Sequence, residues 1–250
     1  MKSIKFVIDK AIDHILPPLP SSKFIPKWYR SGEMYVNKET GLREDSDGEM
    51  SAAGMRSCMP FFDAIASGYM LTAWTDIEIT KNSDGDIEFQ YIEKNDNGDW
   101  IKNSDTPEII GIRTGDIGST IPRPEGFSQA HLVWQGKWGF ELPRGWSMLI
   151  THPLNQYDFP FFTLSGIIDS DTFSPSGNLP FFIKDGWTGI IYKGTPIAQL
   201  IPIKRSEWIA SIEHFGGRHG FLANLVRSEK SGVYKKRMWT PKKYKIKDKK

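Results

Sequence analysis

Residues 163–205 alternate short apolar runs with turn residues. Leu164, Ile167 and Ile168 run into Asp169-Ser170-Asp171, and further runs at 179–183, 189–192 and 197–203 are each bounded by Gly, Pro or Asp. Such spacing predicts antiparallel sheet rather than alternating strands and helices. Upstream, residues 76–80 and 87–92 alternate at period two around Asn82-Ser83-Asp84-Gly85-Asp86, which predicts a hairpin. Residues 128–143 and 146–150 supply more strands, and 95–107 reads as a polar loop.

Helical signals are confined to the flanks. Ile4, Phe6 and Ile8 alternate like a strand, whereas Ile4, Ile8, Ala11, Ile12 and Ile15 fall at helical spacing, so a short helix is expected after a first strand turn. Pro17, Pro18 and Pro20 end it and begin an extended segment. Pro60 to Ala66 reads as one short helix, with Gly68 suited to a left-handed cap. Ser206 is placed as an N-cap ahead of a stripe formed by Trp208, Ile209, Ile212 and Phe215, with Gly216 and Gly217 as its end. The aromatic cluster at 24–29 packs on its own domain or reaches a neighbouring subunit. Residues 33–49 read as an acidic loop, in which 45–49 lacks the ligand series of an EF-hand.

The expected organisation is therefore an N-terminal arm and acidic loop over 1–56, a β domain over 57–205, a short helical segment over 206–226 and a basic tail over 227–250. That tail holds eleven Lys/Arg against two acids, a net +9; since the whole chain carries +2, the preceding residues carry −7. With Trp239 and Tyr244 interleaved, the tail either contacts nucleic acid or is simply solvated. Aromatic residues make up 13% of the chain, which excludes a disordered protein. No apolar run is long enough to span a bilayer, and Asp9, Lys10 and Asp13 interrupt any signal-peptide core. The single cysteine, Cys58, excludes an internal disulfide and suits a reducing compartment. The histidines lack zinc-ligand spacing, the HxE and PCxxC signatures of zinc deaminases are absent, and the glycines form neither GxGxxG nor a Walker loop.

Two motifs carry a resemblance. Gly166-Ile167-Ile168-Asp169-Ser170-Asp171 resembles the third motif of the trimeric dUTPases, and Gly194-Thr195-Pro196-Ile197-Ala198-Gln199-Leu200-Ile201 resembles the fourth. Motif one is altered: Gly68-Tyr69-Met70-Leu71 stands where the family has Gly-Tyr-Asp-Leu. Motif two keeps its lead-in, Leu142-Pro143-Arg144-Gly145, but His152-Pro153-Leu154-Asn155 replaces Arg-Ser-Ser. The whole pattern is also similar to an uncharacterised family of bacteriophage proteins.

The resemblance implies a mainly β fold of the dUTPase-like β-clip kind, a distorted antiparallel barrel with short N- and C-terminal helices and extended arms. It implies Asp169 as general base on a water, with Asn155, Gln199, Gly166 and Tyr69 contacting a nucleotide and no protein metal site. Mg2+ enters only with a hydrolase. From the residues themselves, Asp169 reads equally as a turn-forming aspartate, and Gln199 as a solvent-facing or strand-bridging amide. Motif two has lost the convergent hydroxyls and guanidinium that phosphate oxygens require. The expectation is thus a phage-encoded nucleotide-binding or catalytically inactive homologue; a virion structural or accessory protein and an active Mg-dependent dNTP pyrophosphohydrolase are the alternatives. A homo-oligomer, a trimer by the resemblance, is expected in the host cytoplasm or the virion, with a nucleotide, virion proteins or nucleic acid as partners and no membrane.

Overall fold

The computed structural model of the chain describes residues 2–33, 35–37, 51–113, 121–128, 132–174, 176–212, 214, 216–228 and 234–247. They gather into two compact units, Met1–Pro20 with Gly68–Arg205, and Ser21–Ser67 with Ser206–Lys250. The first twenty residues therefore belong with the β body rather than with an arm. Most of the acidic loop, with residues 45–49, lies outside the described residues.

The strands, in chain order, are β1 (Lys5–Val7), β2 (Leu19–Pro20), β3 (Tyr35–Asn37), β4 (Ser51–Ala53), β5 (Tyr69–Thr72), β6 (Asp76–Lys81), β7 (Ile87–Lys94), β8 (Trp100–Lys102), β9 (Ile110–Ile112), β10 (Leu132–Gln135), β11 (Gly139–Glu141), β12 (Trp146–Thr151), β13 (Phe161–Thr163), β14 (Gly166–Ile168), β15 (Asn178–Ile183), β16 (Gly189–Ile191) and β17 (Pro196–Lys204). The protein is mainly β, as its pattern predicts. In the first unit the strands form a five-stranded sheet, β14-β12-β17-β5-β2, two four-stranded sheets, β13-β15-β10-β9 and β16-β6-β7-β8, and the pair β1-β11. All pairings are antiparallel, and among the described residues the sheets stay open, so the expected barrel does not close.

Aromatic packing fills the core of this unit. The Trp134 ring lies flat on Phe181 with centroids 3.7 Å apart and meets Phe161 edge-on at 5.0 Å. The Thr163 hydroxyl accepts from Trp134 Nε1 at 3.0 Å and donates to the Ile197 carbonyl at 2.6 Å. Ile197 sits at a register shift between Pro196 and Ala198, where β17 bulges away from β5. Because a bulge leaves an extra residue outside the ladder, its carbonyl needs a partner from elsewhere, and Thr163 supplies one from the other sheet. Gly68 is required by both conformation and space: its φ is +74°, and a Cβ there would lie 1.9 Å from the Leu200 carbonyl oxygen.

The predicted hairpin forms between β6 and β7, and the expected polar loop after it is instead a second hairpin carrying β8. Its cause is a recurrence of the first turn. Asn82 Oδ1 accepts from the amides of Asp84 and Asp86, and Asn95 Oδ1 accepts in the same way from those of Asn97 and Asp99. Each turn continues Asn-x-x-Gly-Asp, with Gly85 at φ +84° and Gly98 at φ +86°. At the N-terminus, β1 is followed by a 3-10 turn, Lys10–Ile12, capped by Asp9.

In the second unit the helix Met59–Ala66 has Pro60 in its first turn, as expected. Tyr29, 5% exposed, stacks on Phe61 and donates its hydroxyl to the Arg56 carbonyl, so part of the 24–29 cluster packs within its own unit. Trp28 is partly exposed beside Phe61. Two residues of the tail are held within this unit too: Trp239 Nε1 donates to Asp63 Oδ2 at 2.9 Å, and Lys242 pairs with the same carboxylate. The helix expected over 206–215 is absent from its described residues. Trp208, Ile209 and Ile212 are 89%, 100% and 102% exposed in a segment without regular structure, and the C-terminal helix is Gly217–Ser228. A short stripe that buries nothing gains too little to offset helix nucleation.

Candidate functional site

The turn after β14 is built by its own backbone. Ser170 N–H donates to the Ile168 carbonyl, Thr172 and Phe173 amides donate to the Asp169 carbonyl, and Leu142 N–H donates to the Ser170 carbonyl. This aims two carboxylates at the start of β12 and the end of β17. Ser147 Oγ donates to Asp169 Oδ1 at 2.6 Å, and Arg205 Nη1 lies 3.0 Å from the same oxygen. Asp171 receives Gly145 N–H on Oδ2 at 2.7 Å and both Arg205 nitrogens, Nη1 at 2.9 Å and Nη2 more closely. Arg205 N–H in turn donates to the Gly145 carbonyl at 2.9 Å, so one guanidinium and one turn knit three strand ends together.

Electrostatics follow from these contacts. The Ser147 hydroxyl and the Arg205 guanidinium hold the Asp169 carboxyl below its ordinary value. The Arg205 fork and the Gly145 amide lower Asp171 to about 2, and Arg205 is raised in return by Asp171 first. Both contacts of Asp169 fall on Oδ1, and its side chain is 60% exposed. A carboxylate stabilised in this way is a weaker proton acceptor than a free one. The Asx-turn read for the Asp169 side chain is not what forms here: its carbonyl makes the turn, and its carboxylate bonds Ser147 and Arg205.

The other predicted residues lie elsewhere. Gln199 stands opposite Thr151 on β12 and Met70 on β5, is fully buried, and accepts from Leu154 N–H at 2.9 Å. It therefore bridges to the loop after β12 rather than facing solvent. Asn155 occupies that loop at φ +59°, a conformation Asn tolerates, and its Oδ1 accepts from the Tyr157 hydroxyl at 3.1 Å. Thr151 is four residues from Ser147, so about 13 Å of strand separates this end from Asp169. Gly166 is an exposed position of the edge strand β14, paired with Ile150, with open space where a Cβ would stand. Tyr69 is buried in β5 and meets Phe6 edge-on at 5.1 Å. A single chain thus brings Gln199 and Asn155 to one end of the sheet and Asp169 to the other.

Sequence reasoning gave no role to Ser147, Arg205 or Asp171 side chains. An arginine two residues beyond the apolar run 197–203, where the strand pattern ends, was the available signal. His152, which stands where the resemblance has an arginine, is 7% exposed and structural. Its Nδ1 accepts from Thr163 N–H at 3.3 Å, which assigns the proton to Nε2, and Nε2 donates to the Gln156 carbonyl at 2.9 Å. Phe162 stacks on the ring at 5.0 Å. Burial lowers the pKa of the imidazole, opposed by the Gln156 hydrogen bond.

The residues do not suit a Mg2+ ion. Arg205 already lies against both Asp169 and Asp171, and no group of three or more His, Cys, Asp or Glu placed to hold a metal occurs among the described residues. No described helix is long and apolar enough to cross a membrane. Fold and site together define a mainly β protein of open antiparallel sheets whose strand ends are fastened by an arginine-carboxylate cluster. Compared with known protein families, curated proteins and solved structures, the chain matches none.

Proposed function

We propose that this chain is a dUTPase-like β-clip protein of a bacteriophage that does not hydrolyse nucleotides and serves as a non-catalytic scaffold. The observation that carries the reading is the engagement of Asp169, the residue expected to activate water, with Arg205 and Ser147, which weakens it as a base. Two further observations support it. Gln199, expected on a phosphate, is fully buried and spent on the Leu154 amide, and His152 is spent on Thr163 and Gln156. The family assignment itself rests on the motifs Gly166 to Asp171 and Gly194 to Ile201.

The test is incubation of the purified full chain with each dNTP and Mg2+, followed by pyrophosphate release. No release above the protein-free control is expected. Turnover that Asp169→Asn abolishes while the far-UV circular dichroism stays intact would overturn the proposal. A melting temperature that rises with one dNTP but not the others would separate a nucleotide-binding homologue from a scaffold without a ligand. The exposed Trp208, Ile209 and Ile212 favour, as a second reading, an accessory role in a larger particle, because apolar side chains displayed in this way are suited to a protein contact. Co-sedimentation with phage particles distinguishes that role from a free protein in the host cytoplasm.

A further inference from the structure

We propose that the second unit binds single-stranded nucleic acid along residues 234–247 of its basic tail. Formal charge divides by unit. Ser21–Ser67 with Ser206–Lys250 hold eighteen Lys/Arg against eleven Asp/Glu, a net +7; the first unit holds fourteen against nineteen, a net −5, and the two make up the +2 of the chain. Positive charge gathered on one unit of an otherwise acidic protein is the electrostatic footprint of a polyanionic partner.

The tail is fastened at one point. Trp239 Nε1 and Lys242 both hold the Asp63 carboxylate, and the Trp239 ring meets Phe62 edge-on at 6.5 Å. Trp239 N–H also closes the preceding helical turn, Tyr234–Met238, on the Tyr234 carbonyl at 2.8 Å. Cations therefore flank a fixed point, Lys235 and Lys236 before it and Lys243 and Lys247 after it. All four residues are exposed, and their side chains make no hydrogen bond or ion pair among the described residues. Asp63 first, then Tyr234 and Tyr244, raise the Lys242 ammonium above its ordinary pKa, so both tyrosines lie near that ammonium. Tyr234 is 41% exposed and Tyr244 is half-buried.

Cations interleaved with aromatic rings suit a single strand. Lysines take the phosphates, and tyrosine faces stack on bases that a duplex keeps paired with one another. A short helical turn followed by irregular chain offers neither the helix nor the two-stranded ribbon that reads a major groove. A lipid surface requires apolar side chains to insert. In this run those other than the tyrosines are Met238, Trp239 and Ile246, of which the first two are half-buried. The inference stands apart from the absence of hydrolysis, which concerns the first unit and free nucleotides.

The test is the fluorescence anisotropy of a labelled oligothymidylate of about 20 nucleotides titrated with the full chain, from about 50 to about 200 mM salt. Each phosphate neutralised on a single strand contributes about −0.7 to the slope of log affinity against log salt, so four lysines give a slope near −3 and a loss of roughly 50-fold across that range. The quadruple variant Lys235→Gln, Lys236→Gln, Lys243→Gln and Lys247→Gln is expected to lose most of that slope. Tyr234→Ala is expected to weaken binding about tenfold at unchanged slope, the loss of one stacked base. Lys10→Gln with Lys102→Gln, in the first unit, is expected to bind as the wild type, and far-UV circular dichroism to be the same for all. No binding at the lowest salt, or a quadruple variant that keeps the wild-type slope, overturns the proposal. Tighter binding to a duplex of equal length, or unchanged affinity in Tyr234→Ala, overturns the single strand. Vesicles of phosphatidylserine and phosphatidylcholine that displace the oligonucleotide overturn it in favour of a lipid surface. Should Tyr234→Ala alter the circular dichroism, Tyr234→Leu, which keeps bulk without an aromatic face, is read in its place.

Discussion

Replacing Thr163 by valine removes one hydroxyl and keeps the shape, at the point where two sheets of the first unit are tied together. The residue is fully buried, as are its partners: Trp134 is 0% and Ile197 2% exposed. Losing the hydroxyl leaves the indole N–H and the bulge carbonyl facing an aliphatic group. Each buried polar group stripped of its partner costs roughly 1–3 kcal/mol. With both counted and a small gain from the more apolar side chain, Thr163→Val is expected to destabilise by about 2–5 kcal/mol, a large fraction of the ~5–15 kcal/mol that holds a typical protein folded. At about 2–4 °C per kcal/mol for a chain of this size, melting falls by roughly 4–20 °C. Thr163→Ser keeps the hydroxyl and is expected to lose only about 1 kcal/mol, the value of a buried methyl group. Urea unfolding of the three proteins, followed by circular dichroism at 25 °C, supplies the comparison. If Thr163→Val lies within ~0.5 kcal/mol of the wild type, which is the range of ordinary surface changes, the hydroxyl does not satisfy the bulge and the reasoning fails.

Four further outcomes follow from named contacts. Because burial lowers the His152 pKa below its ordinary 6.5, its stabilising share is complete above that value and declines as pH falls towards the folded pKa. Stability measured from pH 7.5 down to 5 should show that decline, and NMR titration of the imidazole should give a value below 6.5. The Asp171 share is lost only at much lower pH, as the solution passes from the ordinary carboxylate value towards about 2; urea midpoints of Asp171→Asn and wild type should converge at the acid end. Gln199→Leu leaves the half-buried Leu154 amide without its acceptor, with an expected cost of about 1 kcal/mol, the low end for a stripped donor, in the same urea assay. Asp63→Ala removes the shared partner of Trp239 and Lys242, so trypsin should cut within 235–243 faster than in the wild type, with the β body intact.

The hydrophobic pattern by itself determined the sheets. Period-two alternation and turn residues located β6 and β7, and the apolar runs at 179–183 and 197–203 became β15 and β17, because an alternating or fully apolar run can satisfy its backbone and bury its side chains only as part of a sheet. It also contained the second hairpin, in the recurrence of Asn-x-x-Gly-Asp at 82–86 and 95–99, which a reading for polar loops passes over. Tertiary structure decided what the pattern left open. Residues 206–215 have a helical stripe, but a stripe becomes a helix only against a surface, and without one Trp208 and Ile209 remain in water. Gln199 and Asp169 have side chains that suit a nucleotide equally well in either reading. Their roles were set by which partners the strand registers delivered to them: the Leu154 amide to one, Ser147 and Arg205 to the other. Register and bulge position depend on contacts between strands far apart in the chain, and local sequence does not encode which distant polar group arrives within hydrogen-bonding distance.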